Sequence, residues 1–127
     1  MSLQEWKKLR HLSLGLASVT LLAASPMAFA HAILVRSSPA DHSVVHTRGV
    51  DFTLQYNSRI DAARSTLTLT DATGKALPLQ PQPPTEPGQL KATARNLPNG
   101  SYRIHWQVLA SDGHITRGDV DFSVDAK

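Results

Sequence analysis

Two places in this sequence gather groups able to hold a metal ion. The first is His31, which follows Ala28-Phe29-Ala30. A cut after Ala30 would leave His31 with a free α-amine and an imidazole on one residue, and both can bind a single ion through one chelate ring. The second is Ser111-Asp112-Gly113-His114. Asp112 and His114 stand two apart and would point the same way from an extended backbone, with Gly113 letting the chain approach an ion. An amine nitrogen, two imidazole nitrogens and a carboxylate oxygen suit the tetragonal preference of copper(II), which also ranks highest in affinity among divalent first-row ions. Zinc(II) can use the same donors tetrahedrally. A plainer reading stands beside this one. A terminal His can be a coincidence of cleavage, and Asp-Gly-His makes an ordinary turn whose Asp accepts local backbone hydrogen bonds.

The remaining candidates are weaker. His105 alternates out of phase with the apolar face of its segment and is expected in solvent. His42 and His46 fall in a loop whose distance from His31 the sequence does not fix. Trp106 shares the apolar face and reads as core. Ser111 beside His114 lacks a Gly-x-Ser-x-Gly elbow, and no Gly-rich phosphate loop is present, so hydrolase and nucleotide-binding readings lack support.

The metal reading of His31 depends on export. Residues 1–30 comprise a charged start (Lys7, Lys8, Arg10), an apolar stretch from Leu12 to Ala24 and a small-residue end. That order describes a cleaved secretory signal peptide. The apolar stretch falls short of the roughly 20 residues a spanning helix needs. The mature chain is then residues 31–127, the size of one sandwich domain. The whole chain carries 13 Lys and Arg against 10 Asp and Glu, for a net charge of +3. Glu5, Lys7, Lys8 and Arg10 leave with the signal, so the mature chain is close to neutral. Its basic residues are scattered singly, which argues against nucleic acid as a partner. There is no cysteine, and both methionines, Met1 and Met27, precede the cut. A mature chain without sulfur is a poor host for copper(I), which favours thiolate and thioether ligands.

The elements that must position these groups read as strands. Ala32 to Val35, Val50 to Tyr56, Ser65 to Thr70, Leu90 to Ala94, Tyr102 to Val108 and Val120 to Val124 alternate apolar and polar with a period of two. Turn signals separate them at Ser38-Pro39-Ala40-Asp41, Asp71-Ala72-Thr73-Gly74 and Asn96-Leu97-Pro98-Asn99-Gly100. The run from Pro81 to Gly88 reads as an exposed loop. About seven short strands with regular turns imply an all-β protein, an antiparallel sandwich or small barrel. No helix, internal repeat or second domain is indicated.

Two stretches of the mature chain resemble the CopC family of periplasmic copper-binding proteins. His31-Ala32-Ile33-Leu34-Val35-Arg36-Ser37-Ser38-Pro39-Ala40 resembles the family's His-Ala-x-Leu…Ser-x-Pro-Ala opening. Tyr102 through His114, continuing through Gly118 to Phe122 and Val124, resembles its closing Tyr-x-Val-x-Trp…Ser-x-Asp-Gly-His…Gly…Phe-x-Val. The resemblance implies a Greek-key sandwich of about seven strands, cupredoxin-like or immunoglobulin-like. It also implies one copper(II) ion per mature chain, held by the His31 amine and imidazole, Asp112 and His114. The implied protein is a periplasmic monomer and a binder, not an enzyme. It would act in copper homeostasis or resistance by sequestering copper or carrying it to a CopD-like inner-membrane partner. Two features depart from the family pattern. Many relatives carry Phe-Ser/Asn-Glu-Pro, whose Glu can sit beside the copper; here the segment is Tyr56-Asn57-Ser58-Arg59, with Ser58 at the acidic position. The Met-rich loop that some relatives use for copper(I) is also missing from the mature chain.

Two other classes of function are compatible with parts of this pattern. A copper-dependent oxidative enzyme can use an N-terminal histidine brace, but it needs an open coordination position and a substrate face. A metal-free immunoglobulin-like module would bind a partner through its loops.

Overall fold

Alternation with a period of two places one apolar row on each strand, and two such sheets bury their rows against each other. The structure, a computed structural model, describes residues 31–127. The segment expected to be a signal, with its expected cleavage point, and both methionines lie outside the described residues. Nine strands follow in order: β1 (Leu34–Ser38), β2 (Ser43–Val45), β3 (Val50–Tyr56), β4 (Ile60–Asp71), β5 (Ala76–Leu77), β6 (Gln80–Gln82), β7 (Gln89–Ala94), β8 (Gly100–Ala110) and β9 (Ile115–Val124). One sheet has the order β1-β3-β7-β6 and the other β2-β9-β8-β4-β5. Among the described residues no helix is long and apolar enough to cross a membrane.

The core lies between the sheets. Val50, Phe52, Leu54 and Tyr56 of β3 and Leu90, Ala92 and Ala94 of β7 face Tyr102, Ile104, Trp106 and Val108 of β8 and Val120, Phe122 and Val124 of β9, all buried. Aromatic contacts fix the layer spacing. Phe52 meets Phe122 edge-on at 5.5 Å between ring centroids, and Tyr56 meets Trp106 edge-on at 5.3 Å. With no disulfide available, this packing holds the domain, and a Phe-to-Ala change in such a core costs about 3–5 kcal/mol.

The sandwich is the expected one, with differences at its margins. The strands not anticipated, β2, β5 and β6, have three, two and three residues, too short for alternation to register. β2 runs parallel to β9, the one parallel pairing among the described strands. β4 begins at Ile60, with a register shift between Asp61 and Thr66 that interrupts the alternation there. β1 is displaced toward Ser38 relative to the sequence reading. Pro81, expected in a loop, pairs opposite Ala92 in β6. It is tolerated because β6 is a sheet edge, where one face of the strand has no hydrogen-bond partner to satisfy.

Candidate metal centre

β8 and β9 form a hairpin, Trp106 opposite Gly118 and Leu109 opposite Ile115. Its tip is Ser111-Asp112-Gly113. The Ala110 carbonyl accepts from Gly113 N at 3.0 Å, and Ala110 N donates to the His114 carbonyl at 2.9 Å. Gly113 has φ 85°, the left-handed residue that closes a three-residue hairpin loop. Asp112 and His114 therefore converge through a turn, not through the extended backbone that their spacing suggested. Asp112 Oδ1 accepts from His114 N at 2.9 Å, and Oδ2 lies 2.9 Å from His114 Nδ1. The local turn expected from Asp-Gly-His and the convergence of its two side chains coexist.

The N-terminal segment reaches the same place from the other sheet. Ala32 is 2% exposed. Its carbonyl accepts from Thr116 Oγ1 at 2.9 Å. Ile33 N donates to Asn57 Oδ1 at 2.8 Å, and Asn57 N donates back to the Ile33 carbonyl at 3.0 Å. His31 is thereby placed against the hairpin tip. Its ring centroid is 4.6 Å from that of His114, with the planes at 86°, and its Nδ1 is 3.6 Å from Asp112 Oδ2.

One ligand atom from each of His31, Asp112 and His114 lies within 4.8 Å of the others, and no further His or Asp joins that group among the described residues. The Asp112 carboxyl is held below the usual carboxylate range, first by the His114 N–H, against a smaller opposing effect of burial, and then by the His114 and His31 rings. An ionised carboxylate only accepts hydrogen bonds, so in the contact with Oδ2 His114 Nδ1 is the donor, which leaves Nε2 as the ring nitrogen directed away from Asp112. Two imidazoles and a carboxylate, all solvent-accessible, form a donor set of the nitrogen and oxygen type that suits copper(II) or zinc(II).

The other sequence candidates lie elsewhere. His105 is exposed, with Nδ1 2.7 Å from Asp119 Oδ1 on the outer face of the β8–β9 pair. His42 N donates to the Asp121 carbonyl, and His46 Nδ1 lies 2.9 Å from the Asp125 carbonyl. Asp121 in β9 and Asp125 just after it lie at the end of that strand remote from His114, roughly 20 Å or more along a strand rising about 3.3 Å per residue. A surface cavity of about 610 Å³ is also at that end, lined by His42, Asp71, Arg103 and Asp121 among others. Trp106 is core, 7% exposed. Ser58, at the position of the family's Glu, has a buried Oγ with no hydrogen-bond partner. Sequence reasoning missed Asn57 and Thr116. The only available signals were the place of Asn57 inside the departing Tyr56–Arg59 segment and the two-residue spacing of Thr116 from His114.

Residues 34–125 match the CopC domain model. The chain is 32% identical over 124 residues to copper resistance protein C of Xanthomonas campestris pv. juglandis, covering 91% of this chain and 96% of that relative. Among solved structures, CopC of Methylosinus trichosporium superposes with a TM-score of 0.71 at 32% identity, covering 76% of this chain and 95% of that one. PcoC of Escherichia coli, a methionine-rich copper resistance protein, superposes with a TM-score of 0.65 at 25% identity, covering 75% and 99%. With the matched domain, the relatives and the sandwich all in agreement, this chain belongs to the CopC family.

Proposed function

We propose that the mature chain binds one copper(II) ion through the His31 amine and imidazole, Asp112 and His114. The observation that carries this reading is the meeting of an N-terminal and a C-terminal segment at one point, with three donor atoms within 4.8 Å. The relatives named above add copper as the cargo. The donor set, free of sulfur in the mature chain, favours the divalent ion over copper(I). Binding replaces the protons that amine and imidazole nitrogens otherwise hold, with Asp112 supplying the compensating negative charge.

In this reading the protein is exported to the periplasm by its cleaved signal and acts as a monomer. It serves copper homeostasis or resistance, sequestering copper or carrying it to a CopD-like inner-membrane partner. The chain is a copper binder, not an enzyme: its relatives are named for copper resistance, and four protein donors would fill the plane that an oxidative enzyme must leave open.

The test is copper(II) titration of protein beginning at His31, by calorimetry and electron paramagnetic resonance, beside a form with one extra residue ahead of His31. A single tetragonal site with nitrogen hyperfine structure, lost or greatly weakened in the extended form, is expected. Equal binding by both forms would remove the amine from the ligand set, and no binding by either would leave a metal-free module.

A further inference from the structure

A copper site assembled from two distant segments binds more tightly when each is fixed before the ion arrives. The hairpin tip is fixed internally by its turn bonds and the Asp112–His114 contacts. His31 has no such local support, because it precedes the first strand. Its position depends on the two residues that follow it. Ala32 and Ile33 are held by Thr116 Oγ1 on the Ala32 carbonyl and by the reciprocal pair between Ile33 and Asn57.

Both ties lead back to the hairpin. Thr116 lies two residues beyond His114 in β9, so one bond couples the residue after His31 to the strand that carries His114. Asn57 opens the Asn57-Ser58-Arg59 turn, and the Arg59 carbonyl accepts from Ser111 N at 3.2 Å, one residue before Asp112. The turn is backed from below: Tyr56 N donates to the Gly88 carbonyl at 2.8 Å. A Cβ on Gly88 would stand 2.6 Å from the Ser58 carbonyl oxygen, so the two chain segments are in close contact. Two closed circuits thus run from the N-terminal dipeptide to the Asp112–His114 segment, one through Thr116 and one through Asn57.

We infer that Asn57 and Thr116 are positioning residues of the metal centre, whose side chains set the His31 amine and ring against Asp112 and His114. The inference rests on the copper reading proposed above. Neither side chain offers a ligand to the ion. With both ties in place, the freedom left to the His31 amine is rotation about the bonds of its own residue, so little order remains to be imposed on binding. Without them, Ala32 stays buried but its carbonyl and the Ile33 amide lose their partners, and the amine samples positions from which it cannot close the site.

The test uses mature protein with its N-terminus verified as His31, in parent form and as Thr116→Val, Thr116→Ser, Asn57→Ala and Asn57→Asp. Copper(II) affinity is read by competition with a chelator, the ligand set by electron paramagnetic resonance, and the fold by thermal unfolding without metal. Thr116→Val and Asn57→Ala are expected to weaken copper binding about ten- to hundredfold and to reduce the nitrogen hyperfine contribution of the terminal residue. Thr116→Ser and Asn57→Asp, which keep the donor and the acceptor, are expected to restore both. Amide exchange at Ile33 in metal-free protein should accelerate in Asn57→Ala and not in Asn57→Asp, a readout that needs no copper. Parent-like affinity and spectra in Thr116→Val and Asn57→Ala would overturn the positioning role while leaving the copper reading intact. A parent protein that binds no copper would overturn both, whatever the exchange data show.

Discussion

Gly118 faces Trp106 across the β8–β9 pair so closely that a Cβ at position 118 would come 2.7 Å from the indole Cε2. The indole packs against bare backbone there, on the strand pair that ends in the Asp112–His114 hairpin. Gly118→Ala forces Trp106 out of its position, and overpacking of this kind costs about 1–3 kcal/mol. Urea unfolding should show a lower midpoint at unchanged slope. An unchanged midpoint would mean that the indole has room to move and that the packing is looser than described.

Copper should stabilise the folded chain. The donors come from segments that are neighbours only in the sandwich; the tie between them, Thr116 to Ala32, spans 84 positions of sequence. An unfolded chain therefore offers no comparable site. Free copper(II) at a hundredfold over its dissociation constant would add about 2.7 kcal/mol, a rise of several degrees or more in the unfolding temperature for a domain of this size. His114→Ala should show no copper-dependent rise, and a rise equal to that of the parent would place the ion elsewhere.

How far the sequence carried these conclusions differs from element to element. The inward rows of β3, β8 and β9 were legible because alternation from Val50 to Tyr56, Tyr102 to Val108 and Val120 to Val124 leaves little choice of face. His31, Asp112 and His114 were legible from residue type and from the family resemblance. The path by which they meet was not. Gly113 suggested close approach, whereas its φ of 85° makes it the closing residue of a turn. Asn57 and Thr116 carried no chemical mark, since a side chain that hydrogen-bonds a distant backbone group is recognised only when that backbone is in place. Pro81 misled for a related reason, because whether a Pro lies in a loop or on a sheet edge depends on which neighbour it is given.

Acid should act on the apoprotein and on copper binding in separate windows. Asp112 is depressed chiefly by the His114 N–H, Asp121 chiefly by its hydrogen bonds from Arg103, and Asp71 chiefly by the Thr73 hydroxyl. Each carboxyl has a lower pKa in the folded chain than the ordinary value near 4 of an unfolded one. Their contribution is therefore present above that value and is lost as pH falls through the folded values. The metal-free unfolding temperature should hold from neutrality to about pH 5 and decline below about pH 4. Copper affinity should fall earlier, because protons compete for amine and imidazole nitrogens nearer neutrality. Coincident loss of affinity and stability would point to a site made by carboxylates alone.

Gly113 and Gly74 provide a matched pair for separating turn strain from metal geometry. Both have positive φ, 85° and 82°, and a Cβ at either would meet nothing within 4 Å. An alanine at either position is thus opposed by backbone conformation alone, at a cost of roughly 1–2 kcal/mol. Gly74 sits in the β4–β5 turn, where Gly74 N donates to the Asp71 carbonyl, remote from His31. Gly113 lies between two proposed ligands. Gly113→Ala and Gly74→Ala should lower the unfolding temperature by similar amounts, but only Gly113→Ala should weaken copper(II) binding and alter its paramagnetic spectrum. Gly113→Asn, which tolerates the left-handed region better, should recover part of both. If Gly113→Ala loses stability while copper binding stays at the parent level, the turn is not what brings Asp112 and His114 together around the ion.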